Sequence, residues 1–321
     1  MAGDRGKAGD AESLRLSALN LALRLFAKPR MRRLGDPAAA RCAFAAVTGL
    51  LPKPPYLLDL PGLVPGAAGP LPVRRISVGP VDRTRVILYL HGGAFVLGSP
   101  ETHRGMIGRL SQLAGVPVLA PDYRLAPEHP FPAAVEDAVA AWQHLHDAGY
   151  DPEDIVIGGD SAGGGLAFAL LARLCAAGTP PAGVFAFSPW VDLTLASPSL
   201  AENRAADPLL PVERVEEVRG YYLNGRDPAD PAASPVLAAF PGAPPVLLHH
   251  AATEILRDDT LRLAARLRSF GAPVQVACWP TAPHVWHLFD GWLPEARAAL
   301  RGAAAFVRER LRPAPPPSAG S

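Results

Sequence analysis

Gly159-Asp160-Ser161-Ala162-Gly163 sets a serine between two glycines where two patterns meet. Residues 154–158 read as a short buried strand, and the apolar run from Leu166 to Leu174 suits a helix. A G-x-S-x-G segment between strand and helix has the form of a nucleophile elbow. The turn is so tight that a side chain two residues to either side would clash, so both flanks are glycine. It lifts the Ser161 hydroxyl clear of the sheet and aims the Ala162 N–H at any oxyanion formed beside it. A serine hydroxyl is a poor nucleophile near neutral pH. It needs a base within hydrogen-bond reach, an acid to orient that base, and donors for the oxyanion.

Candidates for each role follow in the chain. His284 lies in Pro283-His284-Val285-Trp286, after a strand and a Pro-rich loop and before the final helix. Eight other histidines compete. His287 follows too closely, His249 and His250 end a strand, and His103, His129, His144 and His146 precede the elbow. Glu254 lies in the loop after the strand at 245–249, at the catalytic edge of a parallel sheet. Asp258 and Asp259 are its rivals, but they stand directly before a helical run and suit its N-terminus better. His91-Gly92-Gly93-Ala94-Phe95 follows another strand, and adjacent glycines can point N–H groups into a site. Gly92, Gly93 and Ala162 are therefore the expected oxyanion donors. The order Ser, acid, His is that of an α/β-hydrolase sheet.

These residues must be held by strands at 73–78, 85–90, 116–120, 184–187, 245–249 and 274–278, with helices near 133–146, 260–270 and 294–311. Strand–helix alternation argues an α/β fold with a mostly parallel sheet flanked by helices. The strands at 73–78 and 85–90 are joined by a turn at Gly79-Pro80, and the Pro/Gly-rich stretch 51–72 reads as an extended connector. Residues 190–235 break the alternation with Pro and Asp and one helical stretch at 212–223, as a cap insertion would. The first 50 residues look helical, suited to a surface helix, a lid or a membrane-surface helix. The last reading is weaker because spacing does not put the basic residues on one clean face. The expected organisation is an N-terminal helical segment contributing to the cap (1–55), a catalytic domain (56–189 and 236–312), a cap insertion (190–235) and a disordered tail (313–321).

Of 321 residues, 49% are hydrophobic, enough for a substantial core. Lys+Arg number 31 against 30 Asp+Glu, so overall charge gives no reason to expect nucleic acid or an acidic membrane. Cys42, Cys175 and Cys278 have neither disulfide nor metal-ligand spacing. No apolar run approaches a membrane span, and the start lacks signal-peptide form. A cytoplasmic protein with no metal and no organic cofactor is expected.

The chain resembles the hormone-sensitive-lipase-like esterases, the bacterial family IV carboxylesterases. The resemblance rests on Leu90-His91-Gly92-Gly93-Ala94-Phe95, Pro121-Asp122-Tyr123-Arg124-Leu125-Ala126-Pro127-Glu128, Gly159-Asp160-Ser161-Ala162-Gly163-Gly164, Ser188-Pro189-Trp190 and Pro283-His284-Val285-Trp286, and runs over about residues 55–310. It implies Ser161 as nucleophile, Glu254 as acid and His284 as base, an oxyanion hole from Gly92, Gly93 and Ala162, and a cap from the N-terminal segment and the 190–235 insertion. It also implies that 122–128 is a scaffold bracing the elbow, that short- to medium-chain acyl esters are the substrates, and that a homodimer forms. Ala94 replaces a third glycine, and Ala251 and His249-His250 depart from the usual acid loop. Phe95, Trp190, Leu193, Leu209, Leu210, Tyr221 and Tyr222 are candidate pocket or cap liners. The same acyl-enzyme could serve an acyltransferase or a deacetylase. Plant gibberellin receptors share the fold but lack the histidine, so His284 counts against a receptor.

Overall fold

The computed structural model describes residues 13–33 and 35–311; the expected disordered tail lies outside them. Strands β1 (Leu57–Gly66), β2 (Gly69–Val78), β3 (Val86–Leu90), β4 (Val118–Pro121), β5 (Ile155–Asp160), β6 (Gly183–Phe187), β7 (Val246–Ala251) and β8 (Val274–Trp279) form one sheet, ordered β1-β2-β4-β3-β5-β6-β7-β8. Pairing is parallel from β4 through β8; β2 is antiparallel to both β1 and β4. Every residue of β3, β5, β6 and β7 is buried, as expected of parallel strands covered on both faces.

Helices α1 (Leu14–Ala22), α2 (Lys28–Arg33) and α3 (Pro37–Gly49) open the chain, with a π-helical turn at Leu23–Ala27 joining the first two. Then come α4 (Pro100–Ala114), α5 (Ala133–Asp147), α6 (Ser161–Ala177), α7 (Ser199–Glu202), α8 (Val215–Leu223), α9 (Arg257–Ser269) and α10 (Pro294–Arg310). Side chains alternate across β3. Val86, Leu88 and Leu90 join the core formed by α5, α6 and α9, whereas Ile87 and Tyr89 join the one formed by α4 and α10.

Three departures from the sequence reading have local causes. Residues 51–72 contain all of β1, despite Pro61 and Pro65. An outermost strand has one unpaired edge, where proline costs no ladder bond. The turn after β2 forms, with Gly79 at φ 73°, but β2 and β3 do not pair, because β4 inserts between them. Helix α4 escaped the reading because Gly105 and Gly108 blur its pattern. Both are there for close packing: a Cβ on Gly108 would collide with Leu57, and one on Gly105 with the Pro52 carbonyl. Its end signals were legible, with a Ser99/Thr102 capping box, Pro100 in the first turn and Gly115 in the left-handed conformation.

Candidate functional site

Strand β5 runs directly into α6, and Ser161 at the junction has φ 51°. That left-handed conformation is costly for a residue with a side chain and must be imposed by its surroundings. The flanking glycines show how. A Cβ on Gly163 would be driven into the carbonyl oxygens of Leu90 and His91, and one on Gly159 into the Gly163 carbonyl. The elbow is thus pressed against the end of β3. Ser161 is 9% exposed.

Asp160 turns its carboxylate away from the surface. It accepts from Tyr89 Oη (2.8 Å) and from the Gly92 N–H (3.0 Å), and stands 3.4 Å from His103 Nε2. Burial alone would raise its pKa, but His103 and Tyr89 outweigh that and hold it below the usual carboxylate value. The Gly92 N–H is therefore already occupied, unlike the expectation that it would serve an oxyanion. Gly93 and Ala94 follow at φ 126° and 54°, and their N–H groups have no hydrogen-bond acceptor among the described residues. The Ala162 N–H lies in the first turn of α6, where no intrahelical acceptor exists. The N–H groups of Gly93, Ala94 and Ala162 thus have no acceptor among the described residues, whereas that of Gly92 does.

The 122–128 segment braces this glycine loop rather than the elbow. Tyr123 Oη donates to the His91 carbonyl at 2.6 Å, the two rings stack at 4.1 Å, and the Ala126 N–H donates to the Phe95 carbonyl. Arg41 of α3 joins them, donating to the Val96 and Ala126 carbonyls and pairing with Glu128.

Glu254 lies in the loop after β7, fully buried. Its Oε1 accepts from Ser188 Oγ (2.7 Å) and from the Ala251 N–H (3.2 Å), and its Oε2 lies 3.5 Å from His284 Nδ1. Burial alone would lower the His284 pKa, but the hydrogen bond and charge of Glu254 outweigh it and leave it raised. Ser188 has φ 48° and also accepts from the Val285 N–H at 3.5 Å, tying the acid loop to the base loop. The 190–235 segment fixes the same loop from outside. Asn203 Nδ2 donates to the Ala252 and Glu254 carbonyls, and Asp207 accepts from the Ile255 N–H. Sequence reasoning assigned no part to Tyr89, His103, Asn203 or Asp207, and saw Ser188 only inside a motif. Single polar residues far apart in the chain carry no local pattern.

The rivals are engaged elsewhere. Asp259 accepts from the Val191 and Asp192 N–H groups and from Ser197 Oγ, and Asp258 accepts from the Ser199 N–H. They stand in the first turn of α9, as expected, but fasten the start of the 190–235 segment instead of capping their own helix. Burial pushes the Asp259 carboxyl up to about 7. His249 and His287 share a hydrogen bond of 3.0 Å beneath the sheet edge, and burial holds His249 down to about 3. His103 lies under the glycine loop.

Phe95 stacks on Tyr222 at 3.8 Å and tilts toward Trp190 at 5.8 Å. Gly165 of α6 meets both sides of this cluster: a Cβ there would strike the Trp190 carbonyl and touch Phe95. Leu193 is fully buried and Leu209 half-buried. Tyr221 is half-buried against the same cluster and donates to Glu217 (2.9 Å) and to the Gly35 carbonyl (3.4 Å).

Residues 87–288 match the model of a family of the α/β-hydrolase fold. The chain is 44% identical to an acetyl-hydrolase of Streptomyces hygroscopicus over 225 residues, 70% of this chain and 75% of the relative. It is 36% identical to the esterase LipU of Mycobacterium tuberculosis over 253 residues, 77% of this chain and 85% of the relative. An esterase crystal structure from the bacterial hormone-sensitive lipase family superposes with a TM-score of 0.86 at 36% identity, covering 94% of this chain and all of that one. A sheet of this order, an elbow pressed on its centre, and relatives that hydrolyse esters lead to one assignment: the chain belongs to the hormone-sensitive-lipase-like family IV esterases of the α/β-hydrolase fold, and is a carboxylic-ester hydrolase.

Proposed function

We propose that the chain hydrolyses short- to medium-chain acyl esters through an acyl-enzyme on Ser161. The observation that carries this reading is the buried Glu254–His284 contact, with the second carboxylate oxygen of Glu254 pinned by Ser188 and Ala251. Held this way, the carboxylate accepts a hydrogen bond from the Nδ1–H of His284, which keeps the proton on Nδ1 and leaves Nε2 free to take the proton of Ser161. Ser161 Oγ attacks the ester carbonyl, and the N–H groups of Gly93, Ala94 and Ala162 receive the oxyanion. His284 then protonates the leaving alcohol. Water, deprotonated by His284, releases the acid. Loss of one such donor costs about 3 kcal/mol of transition-state stabilisation.

Residues 190–235 and the N-terminal helices act as the cap, and Phe95, Trp190 and Tyr222 line the acyl side. Arg24 and Lys28 reach the carbonyls of residues 204–207, supporting a cap built from both segments. Two of the three free cysteines are exposed, which suits a reducing, cytoplasmic setting, and the family supports a homodimer. Fractionation and sedimentation equilibrium test those two points. The function itself is tested with p-nitrophenyl esters from acetate to palmitate, using wild type and Ser161→Ala. Turnover of the shorter chains that vanishes in the variant is expected. Undiminished turnover by Ser161→Ala would remove the acyl-enzyme on that residue.

A further inference from the structure

The helical run from Leu14 to Arg33 is apolar on two sides. Leu16 and Leu19 pack inward with Ala282, Trp286 and Ala296. On the other side Leu14, Leu21, Leu25 and Phe26 are 89%, 58%, 59% and 74% exposed. Leu14, Ala18, Leu21 and Leu25 fall at i, i+4, i+7 and i+11, so they form one stripe along the helix. A helix that closes only on its own protein carries polar residues there. Trp292, also exposed, adjoins the start of the run, where Arg15 donates to its carbonyl.

Charge narrows what could cover this face. The whole chain is balanced, but residues 13–35 hold Arg15, Arg24, Lys28, Arg30, Arg32 and Arg33 and no acidic residue. Arg15 and Arg24 bind backbone carbonyls and pair with no carboxylate among the described residues, whereas Lys28 is buried beside Asp207 and Glu213. Arg32 pairs with Glu213. Arg30 and Arg33 are exposed and make no ion pair among the described residues. A second copy on this face would set Arg15, Arg24, Arg30 and Arg33 against the same four cations. A neutral apolar partner would leave them unused. Apolar side chains flanked by cations match an anionic bilayer, where the rings and chains enter the interface and the cations meet headgroups.

We propose that the 14–33 helical run docks the protein on anionic lipid surfaces. The tertiary structure makes this legible where spacing alone did not, because burial of Leu16 and Leu19 leaves the other apolar stripe facing outward with the arginines at its margins. Asn20 on the same run donates to the Thr281 carbonyl, three residues before His284. Docking therefore sets the roof of the candidate site against the membrane. The proposal does not depend on which residues perform the hydrolysis.

The test is co-sedimentation of the full-length protein with vesicles of phosphatidylcholine and phosphatidylglycerol, and with vesicles of phosphatidylcholine alone. Partition at least about tenfold stronger onto the anionic vesicles is expected, weakening several-fold as salt rises. The doubles Leu25→Ser/Phe26→Ser and Arg30→Gln/Arg33→Gln should each lower it about tenfold, with an unchanged circular-dichroism spectrum as proof of fold. Equal partition onto both vesicles, or none, overturns the proposal. So does a dimer broken by Leu25→Ser/Phe26→Ser, which would make a second copy the occupant.

Discussion

Replacing Glu254 by Gln tests the site at its centre. Glutamine has the size of glutamate, so the buried loop keeps its packing. The two groups at Oε1, Ser188 Oγ and the Ala251 N–H, are both donors, so the amide carbonyl must take that position. The amide NH2 then faces His284 Nδ1, 3.5 Å from the present Oε2. An NH2 there donates to Nδ1 and moves the imidazole proton to Nε2, the nitrogen needed to accept from Ser161. Holding a catalytic histidine in the wrong tautomer costs about 10^4-fold in kcat, or about 5.5 kcal/mol. A second signature follows from the ionisation of His284. Burial lowers its pKa and Glu254 more than restores it, so wild-type kcat/KM should climb with pH through a limb above the ordinary histidine value. With the carboxylate gone, burial is opposed only by the more weakly acting charges of Asp207 and Asp160, and the limb should move down. The assay is kcat/KM for p-nitrophenyl acetate from acid to mildly alkaline pH, with circular dichroism to confirm the fold. A variant within tenfold of wild type, its limb unmoved, would refute the reasoning.

Other perturbations probe the supports. Ser188→Ala removes one donor to Glu254 and should lower kcat about 10–100-fold with little change in KM, the worth of one hydrogen bond to a charged group; unchanged kcat would show that Ala251 suffices. Gly163→Ala drives a Cβ into two carbonyl oxygens and should cost about 3 kcal/mol of stability or more, read from denaturant unfolding. Ala94→Gly should keep activity, because the donor is a backbone group, and should change stability by at most about 1 kcal/mol, since relief of the left-handed strain is offset by unfolded-chain entropy. A large loss of turnover there would mean that the methyl group contacts substrate. Asp259→Ala strips the Val191 and Asp192 N–H groups of their acceptor and should destabilise by about 2–4 kcal/mol, with proteolysis beginning near residues 191–199. Cleavage confined to other regions would separate that carboxylate from the cap.

The elbow was legible because part of its constraint is local: a Cβ on Gly159 would meet the Gly163 carbonyl within the turn itself, although Gly163 answers to the Leu90 and His91 carbonyls of β3 and the loop after it. The chain order of Ser161, Glu254 and His284 was legible because parallel strands deliver their following loops to one edge, whereas the strand order was not, since β4 inserts between β2 and β3. What the spacing could not show depends on groups brought together from afar. Asp160 claims the Gly92 N–H from 68 residues away and shifts the free donors by one position, to Gly93 and Ala94. Asn203 and Asp207 shape the acid loop from the 190–235 segment, and Ser188 bridges two loops that are distant in sequence. Strand β1 was hidden because its prolines are tolerable only on an edge, and which strand is outermost is a property of the sheet. Residues 14–33 show the same division. Their composition is plain in the chain, but which leucines face water follows only from what Leu16 and Leu19 pack against. Local sterics can be read along a chain, whereas hydrogen-bond partners and exposed faces are set by the neighbours that folding supplies.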